Sequence, residues 1–406
     1  MKRAGALLFL AVVFAGASLA VLLFRDAVVE RLERFGAGVF FVDSITERDL
    51  EENYVRAGEN RGKIRVFLVP GHDDTAPGTL YRGMREADLT LEIAGYLAEF
   101  LRVDPHFNVF VARDREGYNQ ALVNYFTSDR AGIEAFRSRF KGIMRAAVDA
   151  GVIGAETQVN NGVANEETAI KLYGMSRWAN RNNIHIALHL HFNNYPRRNQ
   201  SSVPGDYSGF ALYVPERQLS NAKASRAIAE DIRSALRGII PVSDLPQEEA
   251  GITESQELIA LGAANTLDAA GVLVEYGYIY EPQFTDPDVR PLALRELAYQ
   301  TYLGLQSFFE DTGTPAAKTP LIPYSWGVDV SFGARGSPDI FALQSLLRTN
   351  GFYPPRGETF RTCPMTGNFL SCTLRALVAF QTNAGLPPNG MLDAPTRELL
   401  NRAEFK

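Results

Sequence analysis

Apolar runs of strand length alternate with helical patterns between residues 62 and 311. Residues 64–69 form an apolar run stopped by Pro70-Gly71, and from Glu86 onward apolar residues recur with helical spacing. Further runs predict strands over residues 107–112, 184–191, 209–214 and 271–275. Strands that alternate with helices indicate an α/β domain, with a mostly parallel sheet flanked by helices.

The N-terminus has a different pattern. Lys2 and Arg3 precede an uncharged apolar stretch over residues 4–24, long enough to cross a bilayer at about 1.5 Å per residue. The basic residues would stay cytoplasmic, which places the rest of the chain outside. We predict a transmembrane signal-anchor over residues 1–25 and a charged stalk over 26–61. The alternatives are a cleaved signal peptide, which also exports the chain, and a buried core helix.

Beyond residue 311 the chain changes again. Residues 312–331 are rich in Pro, Thr and Ala, which predicts a stiff linker. Residues 332–406 combine helical patterns with glycine-bearing turns and predict a small all-α domain, too small for a large cleft and therefore a binding module. Cys363 and Cys372 lie close together in an exported chain, which predicts a disulfide. The alternative is two buried thiols that do not pair.

Length and charge narrow the possible functions. With 406 residues, the chain is too long for one ordinary core, so two folded domains with connections are expected. The formal net charge is -6, and no basic run occurs beyond the first three residues. Because binding to nucleic acid needs clustered Lys and Arg, a nucleic-acid partner is excluded.

Polar side chains stand where predicted strands end. His72 follows the first strand, His191 closes the third and Glu275 closes the last. In parallel strands these side chains converge at the carboxyl edge of the sheet, beside Glu86 in the first turn of its helix. Two imidazoles and a carboxylate are a common catalytic zinc set, and a second carboxylate can carry the proton. The apolar run before Glu275 would raise its pKa, as a proton carrier needs.

Taken singly, these side chains also have ordinary explanations. His72 could be a loop histidine, Glu86 could stabilise its helix dipole, and Glu275 could form an ion pair at the end of a strand. His189 lies two residues before His191 on the same strand face, so spacing alone nominates both as ligands. His185 shares that face and is expected in packing or at the surface. His106 is expected in a loop.

Four motifs in order along the chain resemble those of the zinc-dependent N-acetylmuramoyl-L-alanine amidases of the autolysin and cell-division type. They are Leu-Val-Pro-Gly-His72, Gly83-Met84-Arg85-Glu86-Ala87-Asp88-Leu89, Leu190-His191-Phe192-Asn193 and Val272-Leu273-Val274-Glu275-Tyr276-Gly277-Tyr278. The resemblance spans residues 62–310. It implies that His72, Glu86 and His191 are zinc ligands and that Glu275 is the catalytic carboxylate. Because the family usually has a small polar residue at the position of His189, we expect that residue behind the ligands.

The chain also departs from this family. Asp73 and Asp74 replace glycines after the first histidine, which predicts a more acidic rim. Residues 117–173 are much longer than the usual connection, and they contain an amphipathic helical stripe: Ile133, Phe136, Phe140, Ile143 and Ala147. One hypothesis is a lid, or a docking surface for an activating or regulatory cell-envelope protein. The alternative is an extra helix packed on the sheet.

Residues 333–402 resemble the small helical peptidoglycan-binding domain appended to wall hydrolases. The matching positions include Gly336-Ser337-Pro338-Asp339-Ile340, Leu343-Gln344-Ser345-Leu346-Leu347, Gly367-Asn368-Phe369 and Ala379-Phe380-Gln381. The chain departs in an extended middle loop that carries both cysteines. The resemblance implies a weak wall-binding module, which raises the effective concentration of an enzyme at its insoluble substrate. The alternative is a stabilising appendage.

Together these features predict a periplasmic or otherwise extracytoplasmic zinc hydrolase. Its expected reaction is cleavage of the amide bond between N-acetylmuramic acid and the L-alanine of the stem peptide. One alternative is a non-catalytic peptidoglycan-binding or divisome scaffold, which would have no need of Glu275. The other is a zinc peptidase that acts within the stem peptide with the same polar groups.

Overall fold

The computed structural model describes residues 43–151, 154, 164–194, 202–256, 258–261, 268–310 and 323–402. The predicted anchor or signal sequence over residues 1–25 lies outside these ranges, as does most of the predicted linker. Among the described residues, none of the helices has the length and apolar character that a membrane crossing requires.

The described helices and strands are labelled here in chain order. They are α1 (Glu47–Gly58), β1 (Ile64–Pro70), β2 (Leu80–Tyr81), β3 (Met84–Arg85), α2 (Glu86–Val103), β4 (Phe107–Val111), β5 (Arg113–Asp114), β6 (Gly117–Tyr118), α3 (Gln120–Ser128), α4 (Arg130–Asp149), α5 (Glu166–Arg181), β7 (Ile186–Asn193), β8 (Ala211–Pro215), α6 (Ala222–Leu236), β9 (Ile252–Ser255), β10 (Ala270–Tyr278), α7 (Pro282–Thr285), α8 (Arg290–Glu310), α9 (Pro338–Thr349), α10 (Ser371–Asn383) and α11 (Ala394–Leu400).

Six strands form the central sheet in the order β4-β1-β7-β10-β8-β9. Strands β4, β1, β7 and β10 are parallel to one another, whereas β8 pairs antiparallel with β10 and parallel with β9. The predicted α/β class with a mostly parallel sheet is therefore confirmed. Strand β9 was not predicted, because its sequence Ile-Thr-Glu-Ser has a single apolar residue.

Helices cover both faces of the sheet, as the apolar composition of its parallel strands requires. Alternate residues of β1 point to opposite faces: Leu68 packs in the cluster that contains α2, α6 and α8, and Phe67 in the cluster that contains α3 and α5. Helix α2 presents Leu89, Ile93 and Leu97 to the first cluster at helical spacing. This layering fixes the carboxyl ends of β1, β7 and β10 relative to one another.

The predicted stalk is wrong for Glu47–Gly58, which is the docked helix α1. Thr46 begins this helix with a capping box to Asp49. Leu50 is fully buried, and the Tyr54 ring stacks on Phe309 of α8 at 4.4 Å between centroids. The apolar stripe is only Leu50, Tyr54 and Ala57 among many charges, which is why the pattern resembled a solvated stalk.

The inserted region, residues 117–173, contains α3, α4 and the first half of α5. Ile133 of its apolar stripe is buried, and Phe136 and Phe140 pack in the same cluster as Tyr173 of α5. Ile143 and Ala147 pack on another cluster that includes Leu219. The stripe therefore packs within the molecule, mainly on α5, and not on the sheet as the alternative of an extra helix expected.

The C-terminal helices α9, α10 and α11 enclose a core of their own. The predicted disulfide between Cys363 and Cys372 is present. Trp326 and Val330, which fall in the predicted linker, are buried in this core. The backbone of Trp326 also exchanges two hydrogen bonds with the Asn401 side chain, at 3.0 Å each.

The C-terminal helices pack directly on α8. Val289 and Ala293 belong to the same hydrophobic cluster as the core of the C-terminal helices. Arg348 of α9 forms an ion pair with Glu296 of α8 at 3.2 Å, and their side chains are only 3% and 1% exposed. Arg361, two residues before Cys363, pairs with Asp244 at 2.6 Å.

Candidate metal centre and active site

The three side chains predicted as metal ligands lie together at the carboxyl edge of the sheet. His72 follows β1, His191 lies near the end of β7 and Glu86 opens α2. Glu86 Oε1 is 3.2 Å from His72 Nε2 and 3.1 Å from His191 Nδ1. One ligand atom from each of the three residues lies within 4.8 Å of the other two.

Two glycines allow this close approach. A Cβ atom on Gly71 would lie 2.3 Å from His191 Cε1, and one on Gly78 would lie 2.5 Å from Glu86 Oε2. Gly78 also has a φ of +72°, which disfavours any side chain. Arg113 Nη2 supports the loop by donating to the carbonyl oxygens of Gly71, at 3.0 Å, and Ala87, at 2.7 Å.

Glu86 is 4% exposed and is held by the backbone as well as by the histidines. Its Oε2 accepts a hydrogen bond from Thr79 N at 3.1 Å, and its Oε1 accepts one from Phe192 N at 3.2 Å. Burial alone would raise the pKa of Glu86, but the two neighbouring histidines outweigh it and hold that pKa well below its usual value. Glu86 is therefore an ionised carboxylate.

The two histidines differ in their electrostatics. Burial lowers the pKa of His191, which favours the neutral imidazole that a metal ion binds. Burial also acts to lower the pKa of His72, but the charge of Glu86 more than offsets it and the pKa is raised. A metal ion therefore competes with a proton at His72.

Glu275 stands beside this group but is not part of it. On the paired strands β10 and β7, Glu275 is the register partner of His191. Its Oε2 atom is buried and accepts no hydrogen bond from the described residues. Burial, reinforced by the charges of Glu86 and Glu248, raises the pKa of Glu275 well above its usual value. This environment favours the protonated form of the Glu275 carboxyl group.

A buried carboxylate behind Glu275 was not predicted from the sequence. Glu248 is 1% exposed and accepts hydrogen bonds from Asn193 Nδ2 at 2.8 Å, Tyr213 Oη at 2.6 Å and Tyr278 Oη at 3.2 Å. The three donors come from β7, β8 and β10. Because Gln-Glu-Glu at 247–249 has the appearance of a surface charge run, nothing local marked this residue.

The remaining histidines do not join the ligands. His189 is 3% exposed, and burial together with the nearby His191 lowers its pKa to about 3. His185 Nδ1 accepts a hydrogen bond from Arg65 N at 2.9 Å. His106 pairs with Asp104 at 2.7 Å. His185 and His106 have the packing and loop roles expected of them, and the expected place of His189 behind the ligands stays a prediction.

The acidic rim expected from Asp73 and Asp74 is offset by ion pairs. Asp73 Oδ2 lies 2.6 Å from Lys171 Nζ, and Asp74 Oδ1 lies 2.8 Å from Arg85 Nη1. The charge of Asp73 is therefore offset by Lys171, whereas Asp74 shares Arg85 with Asp88 and is offset only in part.

The donor chemistry of the three residues suits zinc. Two imidazole nitrogens and one carboxylate oxygen are a ligand set of catalytic zinc sites, which keep a further position open. Here an ionised carboxylate lies close to two imidazole nitrogens. Among the described residues no fourth His, Cys, Asp or Glu joins this group, which fits that pattern.

Two family models match the chain. A model described as N-acetylmuramoyl-L-alanine amidase matches residues 66–306, and a peptidoglycan-binding domain model matches residues 336–400. A search of curated proteins found no match.

Several solved amidase structures are similar to this chain. The CwlD amidase of Clostridioides difficile, solved in complex with the GerS lipoprotein, is 16% identical, with a TM-score of 0.40 and coverage of 61% of this chain and 100% of that one. AmiC2 of Nostoc punctiforme is 17% identical, with a TM-score of 0.37 and coverage of 61% and 98%. Ami1 of Mycobacterium smegmatis is 15% identical, with a TM-score of 0.38 and coverage of 62% and 100%.

Proposed function

The chain belongs to the N-acetylmuramoyl-L-alanine amidase family, and from this premise we propose that it is a zinc-dependent enzyme. It acts on peptidoglycan, for which its C-terminal region carries a binding domain, and therefore outside the cytoplasm. In the proposal His72, Glu86 and His191 hold the zinc ion and Glu275 carries the proton. The observation that supports it is the grouping of three ligand atoms within 4.8 Å beside an unpartnered carboxyl group.

The proposed reaction adds water across the amide bond between the lactyl carbonyl of N-acetylmuramic acid and the L-alanine nitrogen. A bound zinc ion supplies a Lewis acid that polarises the carbonyl and makes water a better nucleophile. Glu275 takes one proton from that water at Oε2 and returns it to the leaving nitrogen. The raised pKa of Glu275 favours this role, because it makes the carboxylate a stronger base for the proton of the water. The products are a free lactyl carboxylate and a free L-alanine amine.

The binding domain contributes by proximity. A module that binds the wall raises the concentration of the catalytic site near its insoluble substrate without changing the chemistry.

The two alternative functions predict other products. A scaffold without catalysis would have no use for a proton carrier such as Glu275, and a peptidase would release fragments cut within the stem peptide. Mass spectrometry of the products from purified sacculi distinguishes these alternatives, because the amidase alone yields intact stem peptides with a free L-alanine amine.

Zinc content tests the ligand assignment. We expect the purified protein to carry zinc, and the His191→Ala variant to lose both zinc and the release of stem peptide, because a nitrogen ligand is gone. The matched control is His106→Ala, which removes a histidine that pairs with Asp104 away from the ligand group. Metal analysis of both variants, alongside their thermal unfolding, is the measurement. A folded His191→Ala protein with full zinc content would contradict the assignment.

We also propose that residues 1–25 hold the enzyme at the outer face of the cytoplasmic membrane, and that an envelope protein regulates it there. The supporting observation is the uncharged stretch over residues 4–24, preceded by Lys2 and Arg3. We expect the full chain in the membrane fraction of cells, with an envelope protein recovered by cross-linking from the inserted region. A form that begins at residue 26 serves as the control. If the expressed full-length protein is recovered outside the membrane in a form shortened at its N-terminus, the anchor is contradicted.

A further inference from the structure

The loop that carries His72 is strained and needs outside support. We call residues 71–78 the metal loop. His72 has a φ of 65°, in the left-handed region that residues other than glycine rarely adopt. Such a conformation persists only where the surrounding structure fixes it. The support must come from contacts that the neighbouring residues make.

Asp73 closes the turn after His72. Its backbone N–H donates to the Ala76 carbonyl at 3.1 Å, and Ala76 N–H donates back to the Asp73 carbonyl at 3.2 Å. Its Oδ1 accepts hydrogen bonds from Thr75 N at 2.8 Å, Thr75 Oγ1 at 2.6 Å and Ala76 N at 2.9 Å. One carboxylate oxygen is thus used inside the metal loop, and Oδ2 faces the rest of the protein.

Lys171 of α5 binds that second oxygen. Its Nζ lies 2.6 Å from Asp73 Oδ2 and 3.3 Å from Thr75 Oγ1. The side chains of Lys171 and Asp73 are only 25% and 13% exposed, so solvent screens this pair less than an exposed one. The Lys171 ammonium also lies over the Tyr118 ring, 5.2 Å from its centroid. Burial, together with the charge of the nearby Asp73, raises the pKa of Tyr118.

Both supporting residues belong to the inserted region, one near each of its ends. Tyr118 lies in β6, at the start of the inserted region, and Lys171 lies in α5, close to its end. Helix α5 is itself fixed, because Met175 and Ala179 are buried in a cluster with Phe67 of β1. The base of the inserted region is therefore joined to the sheet on one side and to the metal loop on the other.

We propose that Lys171, seated on Tyr118, is a positioning residue for His72, and that the inserted region completes the metal site by this contact. The inference rests on the proposed zinc function. Lys171 does not touch the metal ligands; it holds Asp73, and Asp73 holds the turn that orients the His72 imidazole. Partners of this kind, one step removed from the ligands, set how tightly a metal ion is bound.

The test compares Lys171→Met with Lys141→Met in the otherwise intact protein. Lys141 is an exposed lysine of the same inserted region that lies over the Tyr173 ring at 5.5 Å, so its variant controls for loss of a lysine and of a cation–π contact. We expect Lys171→Met to bind zinc about 10- to 100-fold more weakly in a chelator competition. Lys171→Arg should restore most of the affinity, Tyr118→Leu should lose a smaller part, and Lys141→Met should match the parent.

Thermal unfolding of the zinc-free proteins separates positioning from general stabilisation. If zinc-free Lys171→Met is less stable than the parent but its folded form binds zinc with parental affinity, Lys171 has a structural role only and the proposal is overturned. Should Lys171→Met fail to fold, Tyr118→Leu, which removes the ring beneath the ammonium, decides in its place, and parental zinc affinity in that variant overturns the proposal. A parent protein that binds no zinc overturns the proposed function itself, an outcome distinct from equal affinities in parent and variants.

Discussion

Replacing Glu275 by glutamine is expected to leave zinc bound and to lower turnover by about 100- to 10,000-fold, the usual contribution of a general acid–base group. Glutamine keeps the shape of the side chain but cannot accept a proton from water at the pH of the reaction. Zinc is retained because Glu275 is not among the three grouped ligand residues. The measurement is kcat for release of stem peptide from purified peptidoglycan, with zinc content determined on the same samples.

Glu99→Gln on the exposed surface of α2 is the matched control, and it should have parental turnover. Parental turnover in Glu275→Gln would exclude Glu275 as the proton carrier. Loss of zinc from Glu275→Gln would instead indicate that this carboxylate contributes to binding of the ion.

Replacing Arg348 by methionine is expected to destabilise the protein by about 3–5 kcal/mol, the cost of leaving one member of a buried ion pair without its partner. Arg348 and Glu296 have side chains that are 3% and 1% exposed, so water cannot replace the lost guanidinium. Urea unfolding gives the free energy. One of the two tryptophans of the chain, Trp326, is buried in the C-terminal core and reports on its loss by fluorescence.

The loss of stability in Arg348→Met should depend on pH. Burial raises the pKa of Glu296 above its ordinary value even with Arg348 present, and removal of the guanidinium raises it further. A carboxyl group with a raised folded-state pKa destabilises the protein as pH rises from its unfolded-state pKa, about 4.3, through its folded-state pKa. The deficit should therefore be small in acid and largest at neutral pH.

Adding Glu296→Gln to Arg348→Met tests this explanation, because the double variant leaves no uncompensated charge. It should recover much of the lost stability and unfold with little dependence on pH over this range. A double variant as unstable as Arg348→Met at neutral pH would show that the loss came from packing rather than from charge.

The residues of the site could be predicted because each lies in a recognisable local sequence pattern, and the fold then brings their side chains together. His72, His191 and Glu275 stand at the ends of apolar strand sequences, and parallel pairing brings such ends to one edge. The resemblance of four ordered motifs added the choice of His191 over His189 as a ligand. Their assigned roles remain predictions until zinc and products are measured.

Other features of the site could not be predicted, because they depend on contacts between residues far apart in the chain. Lys171 meets Asp73 across 98 residues, and Glu248 meets Asn193 across 55. Each has the sequence surroundings of an ordinary surface charge. The docked helix α1 and the buried Trp326 were missed for a similar reason, since their few apolar residues bury only against distant parts of the protein.

Because the C-terminal helices pack on α8, the wall-binding module is held in a fixed position and does not act as a freely tethered domain. Glu296 and Arg348, together with Asp244 and Arg361, fix the module against the amidase domain. The distance between the site where the module binds the wall and the amide bond that is cut is then fixed by the distance between the module and the metal centre. We expect peptidoglycan that matches this span to be cut while it is bound at both places.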